Sequence, residues 1–409
     1  MTTPGVFPAP RRNSSAPPPA LVRRGWREEM RIWWREVDRA LLALIVLLMG
    51  FGTLAVAAAS PASADQLSTA AVTLDAFMFL KRHVVFQLLG LALIIGLSVL
   101  GREDARRIGI IAFAFMLALL VLVPFIGVEK NGSRRWLEIG MSLQPSEFLK
   151  PGFAVVLAWI LSWRLRDPQL PVLAFASAIL ALIAGLLMMQ PNLGETILFA
   201  GIWFVMVMLA GVSLKRIASV AGAGIAGLVL TYFFYDNARN RIDSFLGGGT
   251  AFDQVDLAFR TLTNGGSTGT GLWLGTRKMN LPEAHTDYIF SVIGEEFGLA
   301  VCALVVALYC AIVLRALMRL VDEDDLFALL AGAGLIAQVG GQAFMNVLVN
   351  LQLFPSKGAT LPLISYGGSS TLAVCFALGL LLAITRRNPF LTREGGGLRE
   401  FFERKEERA

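Results

Sequence analysis

Cysteine and histidine are scarce, with three and two copies in a chain of 409 residues. Cys302 and Cys310 stand about two helical turns apart on one apolar run, too far to bridge, and Cys375 lies inside another, so no disulfide framework is indicated. His83 and His285 are not spaced as a metal pair, and neither HExxH nor CxxC accompanies them. Chemistry that needs bound zinc is therefore not expected. The alternation of apolar and polar residues over about ten positions that builds a membrane β-barrel is missing as well. So is a secretory signal: residues 1–38 are rich in Pro, Ser and Arg, with no apolar h-region and no small-residue cleavage site.

What the chain has in excess is apolar sequence. It is 56% hydrophobic and 16% charged, with a mean hydropathy of +0.64, outside the range of ordinary soluble domains. Its apolar residues gather near 40–59, 84–100, 108–127, 148–163, 171–190, 193–211, 217–235, 288–314, 327–350 and 360–385. Each run is close to the roughly 20 residues that a helix needs to cross a bilayer. The expectation is an all-α integral membrane protein of about ten transmembrane helices, with a long outer loop, 236–287, between helices 7 and 8. Residues 1–38 read as a disordered cytoplasmic tail whose last part, Trp26 to Asp38, suits a helix lying at the membrane surface. Residues 39–388 form the membrane domain and 389–409 a second cytoplasmic tail. With both termini inside, most of the 36 Lys and Arg residues fall in cytoplasmic segments, as the positive-inside rule asks. The net charge of +6 is thus a topology signal and does not point to nucleic acid.

Several polar residues need more than topology to explain them. Lys130, Arg134 and Arg135 lie on the side that topology disfavours, with Lys150 just inside the next helix. Pairing with Glu129, Glu138 and Glu147 would neutralise them, Glu147 being on the same helical face as Lys150. A phosphate site would use them instead, because guanidinium and ammonium groups bind pyrophosphate oxygens well in a partly dehydrated place. In Gln144-Pro-Ser-Glu147 the proline suits a first helical turn and the glutamate its positive end. The stretch Asn264 to Gly275 is glycine-dense but lacks the Lys-Ser/Thr ending of a nucleotide P-loop, so a tightly turned loop near a substrate is the commoner account than a phosphate cradle.

Leu281-Pro-Glu-Ala-His-Thr-Asp-Tyr-Ile-Phe290 collects ionisable groups at the outer end of a long apolar run. Asp287 there is a candidate general base, or else a carboxylate that favours a helix start. Glu295 and Glu296 lie deeper, where an ionisable side chain is costly and takes a functional or a paired role. Gln338, Gln342, Asn346 and Asn350 form a polar stripe on one helix, for interhelical hydrogen bonds or for lining a hydrated cavity. From Phe354 to Ser370, prolines and glycines break the helix around Lys357, which is tolerated only within protein or beside water.

These segments together resemble the SEDS family (shape, elongation, division and sporulation). The likeness is carried by Arg134-Arg-Trp-Leu137, Gln144-Pro-Ser-Glu-Phe-Leu-Lys150, Gln190-Pro191 with Leu193-Gly194, Gly265-Gly266, Leu281 to Phe290, Gly294-Glu-Glu296 and Pro355 to Ser370. It runs from about residue 40 to 390. Glu283-Ala-His285, Ile293-Gly-Glu-Glu296, Leu363-Ile-Ser-Tyr366 and the long amino-terminal tail favour the cell-division branch over the rod-elongation branch. One departure is plain: Asn192 stands where the family usually has an aspartate.

The resemblance implies a peptidoglycan glycosyltransferase that joins lipid II into glycan strands during septal cell-wall synthesis, with a long periplasmic loop between helices 7 and 8. It implies a multi-pass protein of the bacterial inner membrane, at the division septum. Its partners would be a class B penicillin-binding protein, other divisome membrane proteins and membrane lipid. The family's important aspartate falls on Asp287, its basic positions near Arg135 and Lys150, and its final turn on Lys357, Ser365 and Gly367 to Ser369. Arg134, Glu147 and His285 join these as expected substrate-binding residues. Asp287 would be the base, with Glu283 the next candidate. A magnesium or manganese ion could assist at the pyrophosphate, although the sequence shows no dedicated cage. The rival readings are a lipid II flippase, with Glu295 and Glu296 in a headgroup path, and a scaffold of the divisome without chemistry.

Overall fold

Each apolar run is carried by a helix in the computed structural model, which describes residues 26–386 except 69–72, 131–132, 139, 141, 166, 168, 191, 235–238, 240–242, 244–249 and 356–357. The tails 1–25 and 387–409, and with them the expected disorder there, lie outside the described residues. Trp26–Glu36 is a helix (α1), as its amphipathic pattern suggests. Seven helices follow: α2 Arg39–Leu67, α3 Met78–Ser98, α4 Arg102–Ile126, α5 Pro145–Ser162, α6 Val172–Met188, α7 Leu193–Leu209 and α8 Leu214–Phe234. After the long connection, which contains a helix of its own, α9 Thr250–Asn264, come α10 Ile289–Phe297, α11 Leu299–Val321, α12 Leu326–Asn350 and α13 Gly368–Ile384.

Five of these helices are long and apolar enough to cross a membrane by length and composition: α2, α3, α4, α11 and α12. Among the shorter ones, α6, α7 and α13 are also apolar. Large apolar side chains such as Leu54, Leu88, Ile111, Phe115, Leu182 and Ile225 point outward. In water so much exposed apolar surface would drive aggregation, whereas in lipid it is the required exterior. The interior is built by α5, α12 and α13, which bury most of their length, and α3 and α4 wrap around them.

Two expectations change. The run 288–314 is not one helix: Gly298 breaks it with φ at +85°, and a Cβ there would stand 2.4 Å from the Ser267 carbonyl. The break lets the glycine-dense loop lie against the helix junction. The run 360–385 is helical only from Gly368, because residues 358–367 form the turn described below.

The connection between α4 and α5 folds into a three-stranded antiparallel ribbon, β1 Val128–Lys130, β2 Ser133–Glu138 and β3 Ser142–Leu143. It marks one face of the bundle, the ribbon face, which also carries the long connection and the turn before α13. At the opposite face Asp38 caps α2 by accepting from the Leu41 N–H at 3.1 Å. The same carboxylate receives Arg315 at 2.9 Å and Arg319 at 2.8 Å from α11. Arg386 pairs with Glu36 at 3.1 Å, so the amino-terminal helix is fastened across the ends of α11 and α13.

Candidate functional site

The polar stripe of α12 ends beneath Asp287. The side-chain amide of Asn346 donates to the Asp287 carbonyl at 2.8 Å and to the Ala359 carbonyl at 2.7 Å. Asn350 adds a donor to the Asp287 carbonyl at 3.3 Å, and its own oxygen accepts from the Ser291 hydroxyl at 2.7 Å. Gln342, one turn deeper, donates to the Thr360 carbonyl at 3.1 Å. Three of the four stripe residues therefore clamp the turn 358–360 to the Asp287 loop, which is the interhelical role and not the lining of an open path. Gln338 is fully buried with neither amide atom partnered among the described residues.

Asp287 itself is half-buried, and its carboxylate faces Gly358. A Cβ on Gly358 would stand 3.5 Å from Asp287 Oδ2 and 4.0 Å from an Arg135 guanidinium nitrogen, so acid and guanidinium converge on the bare edge of this glycine. Its φ of +68° also favours glycine. The cavity beside Asp287, lined by Tyr288, Asn346, Val349, Gly358 and Ala359, is about 10 Å³, room for one water or hydroxyl.

Arg135 reaches this point because strand β2 alternates. Successive side chains of a strand point to opposite faces, which sends Arg135 inward and Arg134 outward. Arg135 is buried and donates from Nε to the Gln190 carbonyl at 3.0 Å. Arg134 is exposed and pairs with Glu129 across the β1–β2 register at 3.3 Å. The sequence treats the two arginines alike; the ribbon separates them.

Lys150 is enclosed. It is completely buried, and its ammonium donates to Glu147 Oε2 at 2.9 Å and to Gln342 Oε1 at 2.9 Å, with Glu195 Oε2 at 3.0 Å as a second ion pair. Two hydrogen bonds and a second carboxylate in ion-pair contact meet its charge. Glu147 also accepts from Ser370 at 3.3 Å, and Ser370 shares a 2.6 Å hydrogen bond with Thr360. The cluster thus ties α5, α7, α12 and α13 together under the same turn. Pairing, not phosphate contact, is what this geometry supports for Lys150 and Glu147. Asn192 caps α7 by accepting from the Glu195 N–H at 3.4 Å, a task that does not require a carboxylate. Sequence reasoning passed over Glu195, although an acid in the first turn of an apolar helix was a signal available to it.

Ser365 joins two loops: its hydroxyl donates to the Thr286 carbonyl at 2.5 Å and accepts from the Leu361 N–H at 2.8 Å. Beside it the Tyr366 N–H donates to the His285 carbonyl at 2.9 Å. The His285 ring is buried, 4.1 Å from Phe79 and 5.5 Å from Tyr366 between centroids. Burial pushes its imidazole down to about 4, against an upward pull from the Glu283 carboxylate, so it is neutral at physiological pH. Ser369 is buried in the first turn of α13. Lys357 lies outside the described residues.

Glu295 and Glu296 are buried and fully engaged by the glycine-dense loop. Glu295 accepts from the N–H groups of Arg277 at 2.8 Å and Lys278 at 2.9 Å, and from the Asn264 amide at 3.0 Å. Glu296 accepts from the N–H groups of Trp273 and Gly275, and from the Lys278 ammonium, which also donates to the Ala58 carbonyl at 2.8 Å. The loop does cradle anions, but they are the chain's own carboxylates. Neither a phosphate cradle nor a headgroup path through these glutamates fits that arrangement.

The FtsW/RodA/SpoVE family model, described as cell cycle protein, matches residues 39–389. A protein of Caulobacter vibrioides described as a probable peptidoglycan glycosyltransferase FtsW is 36% identical over 365 residues, covering 89% of this chain and 93% of that one. A Geobacter metallireducens protein of the same description is 34% identical, covering 86% and 96%. Among solved structures, a chain of a peptidoglycan synthase complex described as coordinating polymerization and crosslinking superimposes with a TM-score of 0.71 at 27% identity, over 87% of this chain and 99% of that chain. The Rod shape determining protein RodA of Thermus thermophilus superimposes with a TM-score of 0.63, also at 27% identity, over 87% and 99%.

Proposed function

The chain belongs to the FtsW/RodA/SpoVE family of cell cycle proteins, and from that premise we propose that it is a peptidoglycan glycosyltransferase whose active site is the Asp287 loop at the ribbon face. The protein is a multi-pass membrane protein. Its substrate in this reading is lipid II, its ribbon face is periplasmic with both termini cytoplasmic, and it works at the septum with a class B penicillin-binding transpeptidase.

The observation that carries the site is the convergence of Asp287 and Arg135 on Gly358. Glycosyl transfer requires the acceptor sugar's 4-hydroxyl to lose its proton as its oxygen bonds to the donor's anomeric carbon. The bond from that carbon to the pyrophosphate oxygen breaks in the same step, and undecaprenyl pyrophosphate leaves with the electron pair. Asp287 takes the proton, a contribution of about 10² to 10⁴ in rate. Arg135 lies close enough to favour the negative charge that develops nearby. Lys150 sets the turn 358–360 from below through Gln342 and Ser370, and so acts on the site by position. Among the described residues no three His, Cys, Asp or Glu side chains come together as a metal cage.

The test is a gel assay for glycan polymer from purified protein and labelled lipid II, with and without the cognate penicillin-binding protein. Wild type should yield a ladder, and Asp287→Asn, folded and still bound to its partner, should yield none. Near-normal polymer from the variant removes Asp287 as the base and brings Glu283 forward. No polymer from wild type with the partner present rejects the enzymatic reading.

A further inference from the structure

The cations first expected to hold pyrophosphate are mostly committed elsewhere: Lys150 is enclosed, Arg134 is paired at the surface, and Arg135 is buried against Gln190. A pyrophosphate with a lipid tail needs a cation at the membrane edge. The ribbon face has a groove of about 970 Å³ between α3, the ribbon and the start of α13, lined by Lys81, Arg82, Val85, Phe86, Glu138 and Tyr366 among others. Resting on the glycosyltransferase reading, we infer that this groove binds the donor's polyprenyl pyrophosphate, with Arg82 as the principal phosphate ligand and Lys81 as its neighbour.

Three observations carry the assignment. Arg82 is open to an external anion. It stands in the second turn of α3, at the end of the helix that opens on the ribbon face. It is exposed, and among the described residues it makes no ion pair or hydrogen bond, whereas Lys81 beside it is paired with Asp75. An exposed guanidinium with no carboxylate beside it is free to meet an external anion.

The groove also has the right polarity profile. Below Arg82 the same face of α3 continues with Val85, Leu88 and Leu89, all exposed and apolar, at spacings of three and four residues. Phosphate at the rim and isoprenoid down this track match an amphipathic ligand at a membrane interface. The floor is shaped by Phe86, whose ring lies so close to Gly368 that a Cβ there would stand 2.7 Å from it. Across the groove Glu138 of the ribbon carries a carboxylate, whose charge disfavours phosphate, which places the phosphates on the α3 side.

Finally, the groove shares a wall with the Asp287 loop. Tyr366 lines it, packs its ring 5.5 Å from that of His285, and donates its N–H to the His285 carbonyl. A sugar leaving the rim across Tyr366 is directed toward Asp287, two residues further along the chain.

The test uses full-length protein in nanodiscs with undecaprenyl pyrophosphate as the probe, and undecaprenyl monophosphate and phosphatidylglycerol as competitors. Arg82→Gln should weaken pyrophosphate binding about tenfold, the loss of one charge-assisted contact, and should raise KM for lipid II. Lys81→Gln should weaken it less, because Lys81 is shared with Asp75. Asp287→Asn should bind the probe as wild type does. Unchanged binding by Arg82→Gln, with unaltered melting temperature and elution volume, overturns the assignment even where wild type polymerises lipid II. Equal displacement by phosphatidylglycerol overturns it too, since the groove would then be a general anionic-lipid site. Absence of polymer from wild type with its partner rejects the parent reading instead, whatever the probe does.

Discussion

Asn346 donates to the backbone carbonyl of Asp287 at 2.8 Å, so the proposed base is held through its main chain by the most buried face of α12. The same amide holds the Ala359 carbonyl, one residue past Gly358. One side chain therefore sets the distance between the acid and the turn it faces.

Asn346→Ala should separate positioning from chemistry. Two buried carbonyls lose a donor, which costs about 1–3 kcal/mol of stability, although the Asp287 carbonyl keeps Asn350. The expected kinetic effect is a fall in kcat of about tenfold with KM for lipid II little changed, since the misplaced carboxylate meets the acceptor only in the transition state. Wild-type kcat at saturating lipid II from a folded variant would show that this contact does not position the base.

Gly358→Ala should be more damaging to activity than to folding. The positive φ alone costs about 1–2 kcal/mol, a loss that thermal melting in detergent will read. The new methyl would enter the space that Asp287 and Arg135 share, at 3.5 and 4.0 Å from them. Polymerisation should drop well beyond what the melting shift accounts for. Equal, modest losses in both would mean that the glycine serves the turn only.

His285 predicts a pH dependence. Its imidazole titrates near 4 in the folded protein, below the usual 6.5, so between those values the unfolded chain binds more protons than the folded one. Stability from this group is complete above pH 6.5 and is lost as pH falls toward 4, by on the order of 1–3 kcal/mol. His285→Phe keeps a ring against Phe79 and Tyr366 and should flatten that part of the melting-temperature profile. An unchanged slope in the variant would place the acid sensitivity elsewhere.

The helices and the gathering of ionisable groups around Asp287 were legible in the sequence because each depends on local pattern: apolar runs of spanning length, and ionisable groups where lipid penalises them. The distant partners were not. Glu147 is readable as a partner of Lys150 from its spacing, but Glu195 and Gln342 lie on helices far away in sequence, and nothing near residue 150 reveals them. Arg134 and Arg135 look equivalent until β2 gives them opposite faces, and six residues of strand inside a polar connection leave little periodic signal. The glycine-dense loop read more readily as a tight turn than as an anion cradle, and only the fold shows that it holds Glu295 and Glu296. Arg82, lacking any motif, drew no notice at all.

Lys150 offers the sharpest test of structural against ligand-binding charge. Lys150→Met removes the cation that pairs with both Glu147 and Glu195 and leaves their carboxylates buried without it, a loss of about 3–5 kcal/mol by the behaviour of broken buried pairs. The protein should therefore accumulate poorly or melt early, and activity should disappear with it. The triple variant Lys150→Met, Glu147→Gln, Glu195→Gln removes the stranded charges as well as the cation. Neutral amides can hydrogen-bond to one another and to Ser370, so most of the melting temperature should return, and polymerisation should return with it to a substantial fraction of wild type. A pyrophosphate clamp behaves differently, because stability would recover while turnover stayed low. Measuring melting temperature and glycan polymer on the same three proteins decides between the two roles, and recovery of stability without recovery of turnover would return Lys150 to the substrate.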